Sequence, residues 1–108
     1  MVPDESSLTR GDAPPVRVVH LEAEARFEAH LDGACGVLRY QRVGTGASAR
    51  IVVPSVVVDP AIEGRGVAGA LTRAALDWAR AHGLRVEPVC PYVVAWMRRH
   101  PGYGDLRA

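Results

Sequence analysis

The stretch DPAIEGRGVAGAL, residues 59–71, is where the chain changes its hydrophobic period. Before it, ARIVVPSVVV (49–58) is a β-branched apolar run of the kind a sheet buries on both faces. Pro54 within that run has no N–H to give a ladder, so a bulge or splayed pairing is expected there. After it, Val67, Ala70, Leu71, Ala74, Ala75, Trp78 and Ala79 recur at the spacing of one face of an amphipathic helix. Gly83 follows where a helix-terminating glycine belongs. The quoted stretch therefore joins a strand to a helix N-terminus. Gly64, Gly66 and Gly69 leave the backbone N–H groups there uncrowded. The first donors of a helix lack partners and its dipole is positive at that end, which suits a phosphate. A tight turn with close helix–sheet packing would use the same glycines, so both readings stand. A dinucleotide-binding reading of G-x-G-x-x-G, with Glu87 on a ribose, fails on context. That motif needs the strand to run almost directly into its first glycine, and here Asp59 to Glu63 intervene.

Working outward, VRVVH (16–20) is a short strand candidate. ARFEAHLD alternates, with Phe27, Ala29 and Leu31 on one face and Arg26, Glu28 and His30 on the other. Asp32-Gly33 is a two-residue hairpin signal leading into CGVLRYQRV (35–43), which puts Leu38 and Tyr40 opposite Val37 and Arg39. Gly44-Thr45-Gly46 turns the chain again. Toward the C-terminus, LRVEPVC (84–90) reads as a strand and PYVVAWMRR (91–99) as a helix opened by Pro91. His100-Pro101 stops that helix. An antiparallel meander followed by β-α-β-α makes an α/β (α+β) domain. A right-handed crossover places the strands around Val53 and Val86 side by side and parallel.

Of the 108 residues 48% are hydrophobic, enough for one core; residues 15–108 are expected to form a single domain after a polar, disordered tail at 1–14. Net charge is +1 with no basic block, which speaks against a nucleic-acid partner. No apolar run reaches the ~20 residues of a membrane helix. The acidic start MVPDESS does not read as a signal peptide. The two cysteines, Cys35 and Cys90, share no ligand spacing with the histidines. A reduced, cytoplasmic protein without a metal is expected.

Glu63-Gly64-Arg65-Gly66-Val67-Ala68 resembles the Q/R-x-x-G-x-G/A motif of the GNAT acyltransferase superfamily. With Cys90-Pro91-Tyr92-Val93 and His100-Pro101-Gly102-Tyr103, the chain is similar to short single-domain GNAT-like N-acetyltransferases carrying R-G-x-G, C-P-x-V and H-P-x-Y. The resemblance spans about residues 16–106. It implies a minimal GNAT-like fold with two splayed parallel strands, and acetyl transfer from acetyl-CoA (coenzyme A as co-substrate) to an amine on a small molecule or peptide. It leaves monomer or dimer open. Loop amides of Gly64, Arg65, Gly66, Val67, Ala68 and Gly69, with Glu63 beside them, would hold the pyrophosphate. Backbone N–H groups around Val57 and Val58 would polarise the acetyl carbonyl.

Two departures from the family pattern stand out. Glu63 replaces Gln or Arg, and Val56-Val57 stand where relatives often carry Thr and an acid. Asp59 is then the carboxylate left to act as general base, against the commoner role of a turn-forming Asp. Cys90 lies where the resemblance puts the thioester gap; it lines that pocket, carries the acetyl group covalently, or simply packs. Trp96 replaces a tyrosine frequent in relatives, leaving Tyr92 and Tyr103 as hydroxyl donors beside their packing roles. Arg65, Arg98 and Arg99 are candidate phosphate contacts. His20, His30 and His82 read as surface histidines, with His30 a candidate at the acceptor mouth. No lysine is present, so no lysine side chain is open to self-acetylation. A binding module that keeps the cleft and has lost catalysis is the competing reading.

Overall fold

The computed structural model describes residues 16–108; the expected tail at 1–14 lies outside the described residues. Five strands form one sheet in the order β1-β2-β3-β4-β5: β1 Arg17–Leu21, β2 Arg26–Leu31, β3 Ala34–Val43, β4 Arg50–Val58 and β5 Arg85–Pro88. The first three pairings are antiparallel, and β4 with β5 is parallel. Helix α1, Val67–Ala81, is the crossover, and α2, Pro91–Arg99, follows β5. This is the α+β order that the meander and the change of period predict.

Local chemistry accounts for the element ends. Asp32 and Gly33 both take positive φ, 51° and 79°, the backbone of a hairpin turn whose twist matches its strands. Gly83, at φ 68°, closes α1: its N–H donates to the Arg80 carbonyl at 3.3 Å and the Leu84 N–H to the Ala79 carbonyl at 2.8 Å. That pair of bonds is the Schellman arrangement, satisfying carbonyls the helix itself leaves open. Pro91 sits at the first position of α2, where its missing N–H costs nothing.

Phe27, Ala29, Leu31, Leu38, Tyr40, Ile51 and Val53 line the covered face of the sheet beneath α1 and α2. The buried positions of α1 are Val67, Leu71, Thr72, Ala75, Leu76 and Ala79. Thr72 is tolerated there because its Oγ1 donates to the Ala68 carbonyl at 2.8 Å. One expectation is corrected: β4 is buried on one face only. Val57 is 66% exposed and Pro54 is also exposed, because both helices lie on the other side of the sheet.

Gly36 sets how closely α1 approaches β3. A Cβ there would lie 2.9 Å from Val67 Cγ1, 3.2 Å from Val58 Cγ2 and 3.3 Å from Leu71 Cδ1. Gly36→Ala is expected to destabilise by about 1–3 kcal/mol through overpacking. Adding Val67→Ala removes the worst contact, so the double variant should lose less than the sum of the two singles. Urea unfolding of the three variants measures both quantities.

His20 is a second correction: it is not a solvated surface histidine. Its ring stacks on Phe27 at 3.9 Å, meets the edge of Trp78 at 4.7 Å, and its Nε2 lies 2.7 Å from the Tyr40 hydroxyl. Desolvation is the main cause that holds its pKa below the ordinary 6.5; Glu22 opposes the shift and His82 adds to it. The folded chain therefore binds this proton less readily than the unfolded chain. The contribution is present above 6.5 and is lost as pH falls through the depressed folded value. Melting temperature should fall between pH 7 and pH 5, and His20→Phe should flatten that dependence.

The C-terminal segment Pro101–Leu106 straps the helices. Tyr103 donates its hydroxyl proton to Asp77 Oδ1 at 2.8 Å and accepts from Arg73 at 3.1 Å. Arg80 forks onto Asp105 at 2.9 and 3.0 Å. The His-Pro-Gly-Tyr motif is thus occupied with packing, and Tyr103 is bound into this strap.

Candidate functional site

The site begins at Pro54. Arg39 pairs with Ser55 and Gln41 with Val52, so Tyr40 alone faces the two residues Val53 and Pro54: a bulge in β4. The β5 pairing stops at the same point. The Val53 carbonyl accepts both the Val89 N–H, at 3.1 Å, and the Cys90 N–H, at 2.9 Å, and the strands part beyond it. The bulge also changes which residues face the helices, from Ile51 and Val53 before it to Val56 and Val58 after it.

Backbone direction follows from one bond. The Asp59 N–H donates to the Cys35 carbonyl at 3.0 Å, and those residues are opposite one another in the register that pairs Val57 with Val37. Opposed residues alternate between bonded and unbonded pairs, so positions 55, 57 and 59 direct their backbone groups to β3. Val56 and Val58 direct theirs the other way, into the gap beyond β5. The N–H groups available to a ligand are therefore those of Val56 and Val58. The Val57 N–H is committed to the sheet.

A cleft of about 330 Å³ lies along this gap. Val56, Val58, Ile62 and Val67 form apolar walls; Gly64, Gly66, Ala68 and Gly69 bring the glycine turn and the start of α1 to one end; Glu63 and Tyr92 complete the lining. Gly66 caps α1 at φ 83° without a side chain, and the first intrahelical bond is Ala70 N–H to the Gly66 carbonyl at 3.0 Å. The preceding N–H groups have no intrahelical acceptor. An apolar trough that ends in free donors fits a ligand with an aliphatic arm and an anionic end.

The structure brings Val58, Glu63, Gly64, Gly66, Val67, Ala68 and Gly69 of the sequence-derived set into one lining. It places four others elsewhere. Val57 projects from the open face of the sheet. Arg65 pairs with Asp32 at 3.0 Å, tying the glycine turn to the β2–β3 hairpin. Asp59 caps the short turn Pro60–Ile62, its Oδ1 accepting from the Ala61 N–H at 2.9 Å. Cys90 is buried in the core at the N-cap of α2 and makes no side-chain capping bond. Val56 and Ile62 line the cleft without having been singled out as ligand contacts. Val56 had the signal, an apolar residue two positions past a strand proline, but its facing depends on the bulge. His30 pairs with Glu28 at 3.3 Å on the open face, and His100 stacks on Trp96 at 3.8 Å. Among the described residues no three His, Cys, Asp or Glu side chains are grouped to hold a metal, and no helix is long and apolar enough to cross a membrane.

Residues 26–106 match the family model described as GCN5-related N-acetyl-transferase. The chain belongs to this family. It is also similar to Protein NATD1 of mouse, 33% identical over 99 residues, covering 89% of this chain and 84% of that protein. Protein NATD1 of cattle is 34% identical over 90 residues, covering 81% and 76%. Among solved structures, a Trypanosoma brucei acetyltransferase aligns at 23% identity with a TM-score of 0.44, over 64% of this chain and 54% of that one. The five-stranded sheet parted at β4–β5 is the minimal form of the GNAT fold that the R-G-x-G, C-P-x-V and H-P-x-Y motifs implied.

Proposed function

We propose that this GNAT chain transfers an acetyl group from acetyl-CoA to an amine by direct attack. The observation that carries the reading is the parting of β4 from β5 at Val53, which leaves the Val56 and Val58 backbone facing a cleft that ends at an uncapped helix N-terminus. Gly64 to Gly69 hold the pyrophosphate through backbone N–H groups, and Val56, Val58, Ile62 and Val67 pack along the pantetheine arm. When bound, acetyl-CoA supplies a thioester whose carbonyl carbon joins the amine nitrogen while the carbon–sulfur bond breaks with its electron pair left on sulfur. The Val58 N–H serves the developing oxyanion, and positioning supplies much of the rate. The Glu63 carboxylate, on the same lining, has to turn away from the phosphates, because like charge beside them weakens binding. The free thiols Cys35 and Cys90 suit a reducing, cytoplasmic compartment.

A second reading, a coenzyme-A-binding module without turnover, draws on one observation. Among the described residues no histidine lines the cleft, and Glu63, at the phosphate end, is the one carboxylate in its lining. Thiol release from acetyl-CoA over a panel of small amines and peptide N-termini separates the two. Amine-dependent release supports transfer; tight binding with no release in any member of the panel supports the module. Burial of Cys90 favours direct attack over an acetyl-cysteine. Cys90→Ala should retain amine-dependent release, and loss of that release with acetyl found on the Cys90 sulfur of the unaltered protein would reverse this point.

A further inference from the structure

The helices cover one face of the sheet and leave the other open. On the open face the register sets side chains in rows that cross the strands. One row is Val19, Glu28, Val37 and Val57; the next is Leu21, Arg26, Arg39 and Ser55. The large hydrophobic side chains that the fold leaves exposed are Val19, at 40%, Val57, at 66%, and Val89, so the first two share a single row. Cations outnumber acids around that row. Alternation with the buried positions puts Arg17, Arg26, Arg39, Arg50 and Arg85 on this face, against Glu28 and Glu87. Glu24 and Glu28 neutralise Arg26, and Glu87 neutralises Arg50. Among the described residues no carboxylate pairs with Arg17 or Arg39, and Arg85 donates to the uncharged Arg107 carbonyl at 2.7 Å. The whole chain carries a net charge of only +1, so the excess is local to this face.

We propose that the open face docks an acidic peptide segment of a partner protein, with its carboxylates on Arg17 and Arg39 and its apolar side chains along Val19, Val37 and Val57. The unneutralised arginines select an acidic partner and repel a basic one. Size narrows the choice further. Five strands about 4.8 Å apart and about six residues long make a face of roughly 24 by 20 Å. That falls short of the roughly 800 Å² each partner gives to a stable dimer. Two copies of this face would also meet with like charge, so a second copy is disfavoured on both counts and a peptide fits. Nucleic acid would share the arginines, but single strands are held largely by stacking bases on aromatic rings. No strand gives this face an aromatic side chain, because Phe27 and Tyr40 point to the helices. The valine row instead suits leucine or valine side chains. The face lies opposite the cleft, so docking there is independent of acetyl transfer.

Fluorescence anisotropy with labelled peptides of about ten residues, long enough to span the face when extended, tests this. One peptide combines leucine with glutamate, a second leucine with lysine, and a third serine with glutamate. The unaltered protein should bind the first with a dissociation constant of about 10–100 µM at low salt. The second should bind at least about tenfold more weakly and the third several-fold more weakly. Arg39→Glu and Val57→Asp should each weaken the first by about tenfold or more. Both positions are exposed, so the melting temperature should stay within a few degrees. Arg42→Glu makes the same change of charge on the other face of β3, where Arg42 opposes Ile51, and should leave binding within about twofold. No binding of the leucine–glutamate peptide, equal affinity for the leucine–lysine peptide, or equal losses from Arg39→Glu and Arg42→Glu would overturn the docking face. A dimer in sedimentation that Val57→Asp dissociates would give the face to a second copy, and overturn the peptide. An oligothymidine strand bound more tightly than the peptide, and lost in Arg39→Glu, would give it to nucleic acid and overturn the peptide likewise.

Discussion

Replacing Leu71 by alanine is expected to lower the unfolding free energy by about 2–5 kcal/mol and the melting temperature by roughly 10–30 °C. Leu71 is fully buried on the α1 face that meets β3, and its Cδ1 lies beside the bare Cα of Gly36. The cost exceeds simple transfer because the site cannot collapse. Gly36 offers no side chain to fill the void, and Val58 and Val67, its nearest neighbours there, are held by the cleft wall and the helix start. Leu71 sits one turn from the glycine loop, so the same change should loosen the start of α1. Ligand affinity should fall with stability, whereas Leu71→Met should spare most of both.

The second large effect concerns the loop. Gly66→Asp is expected to weaken coenzyme A binding by at least about 100-fold, since like charge beside the pyrophosphate costs several kcal/mol. Gly66 caps α1 with φ 83°, a backbone that a non-glycine residue adopts under strain. Gly66→Asn separates the two causes, because asparagine has nearly the shape of aspartate and tolerates the same backbone without the charge. Calorimetric titration should show a much smaller loss for asparagine. Equal losses would mean that strain, and not an anion, decides what Gly66 does.

Elements whose cause is local could be read from the sequence. Asp32-Gly33, Gly83 and Pro91 act within a few residues, and each ended or began an element where the structure has it. Pro54 announced the bulge because a missing N–H must disturb a ladder wherever it occurs. The helical spacing predicts the α1 stripe but not Thr72 and Leu76, which are buried beside it. The helix packs against the sheet and against α2, which widens its buried face beyond one stripe. Readings that depend on what lies across from a residue were harder. An apolar run cannot say whether a second layer covers it, so Val57 was expected inside and stands exposed. The bulge then reversed the facing of every later residue in β4, moving the ligand-facing amides to Val56 and Val58. Arg65 and Asp32 are 33 positions apart, and nothing in either neighbourhood signals their pairing. The glycine turn was legible as an anion site because its chemistry resides in backbone that needs no distant partner.

The central claim is that the cleft between β4 and α2 is built for acetyl-CoA. Calorimetric titration of the protein with acetyl-CoA, read alongside Gly66→Asp, tests it most directly. The account predicts one site per chain with a dissociation constant on the order of micromolar, lost in Gly66→Asp. Absence of binding by the unaltered protein, or binding that Gly66→Asp leaves intact, would contradict it.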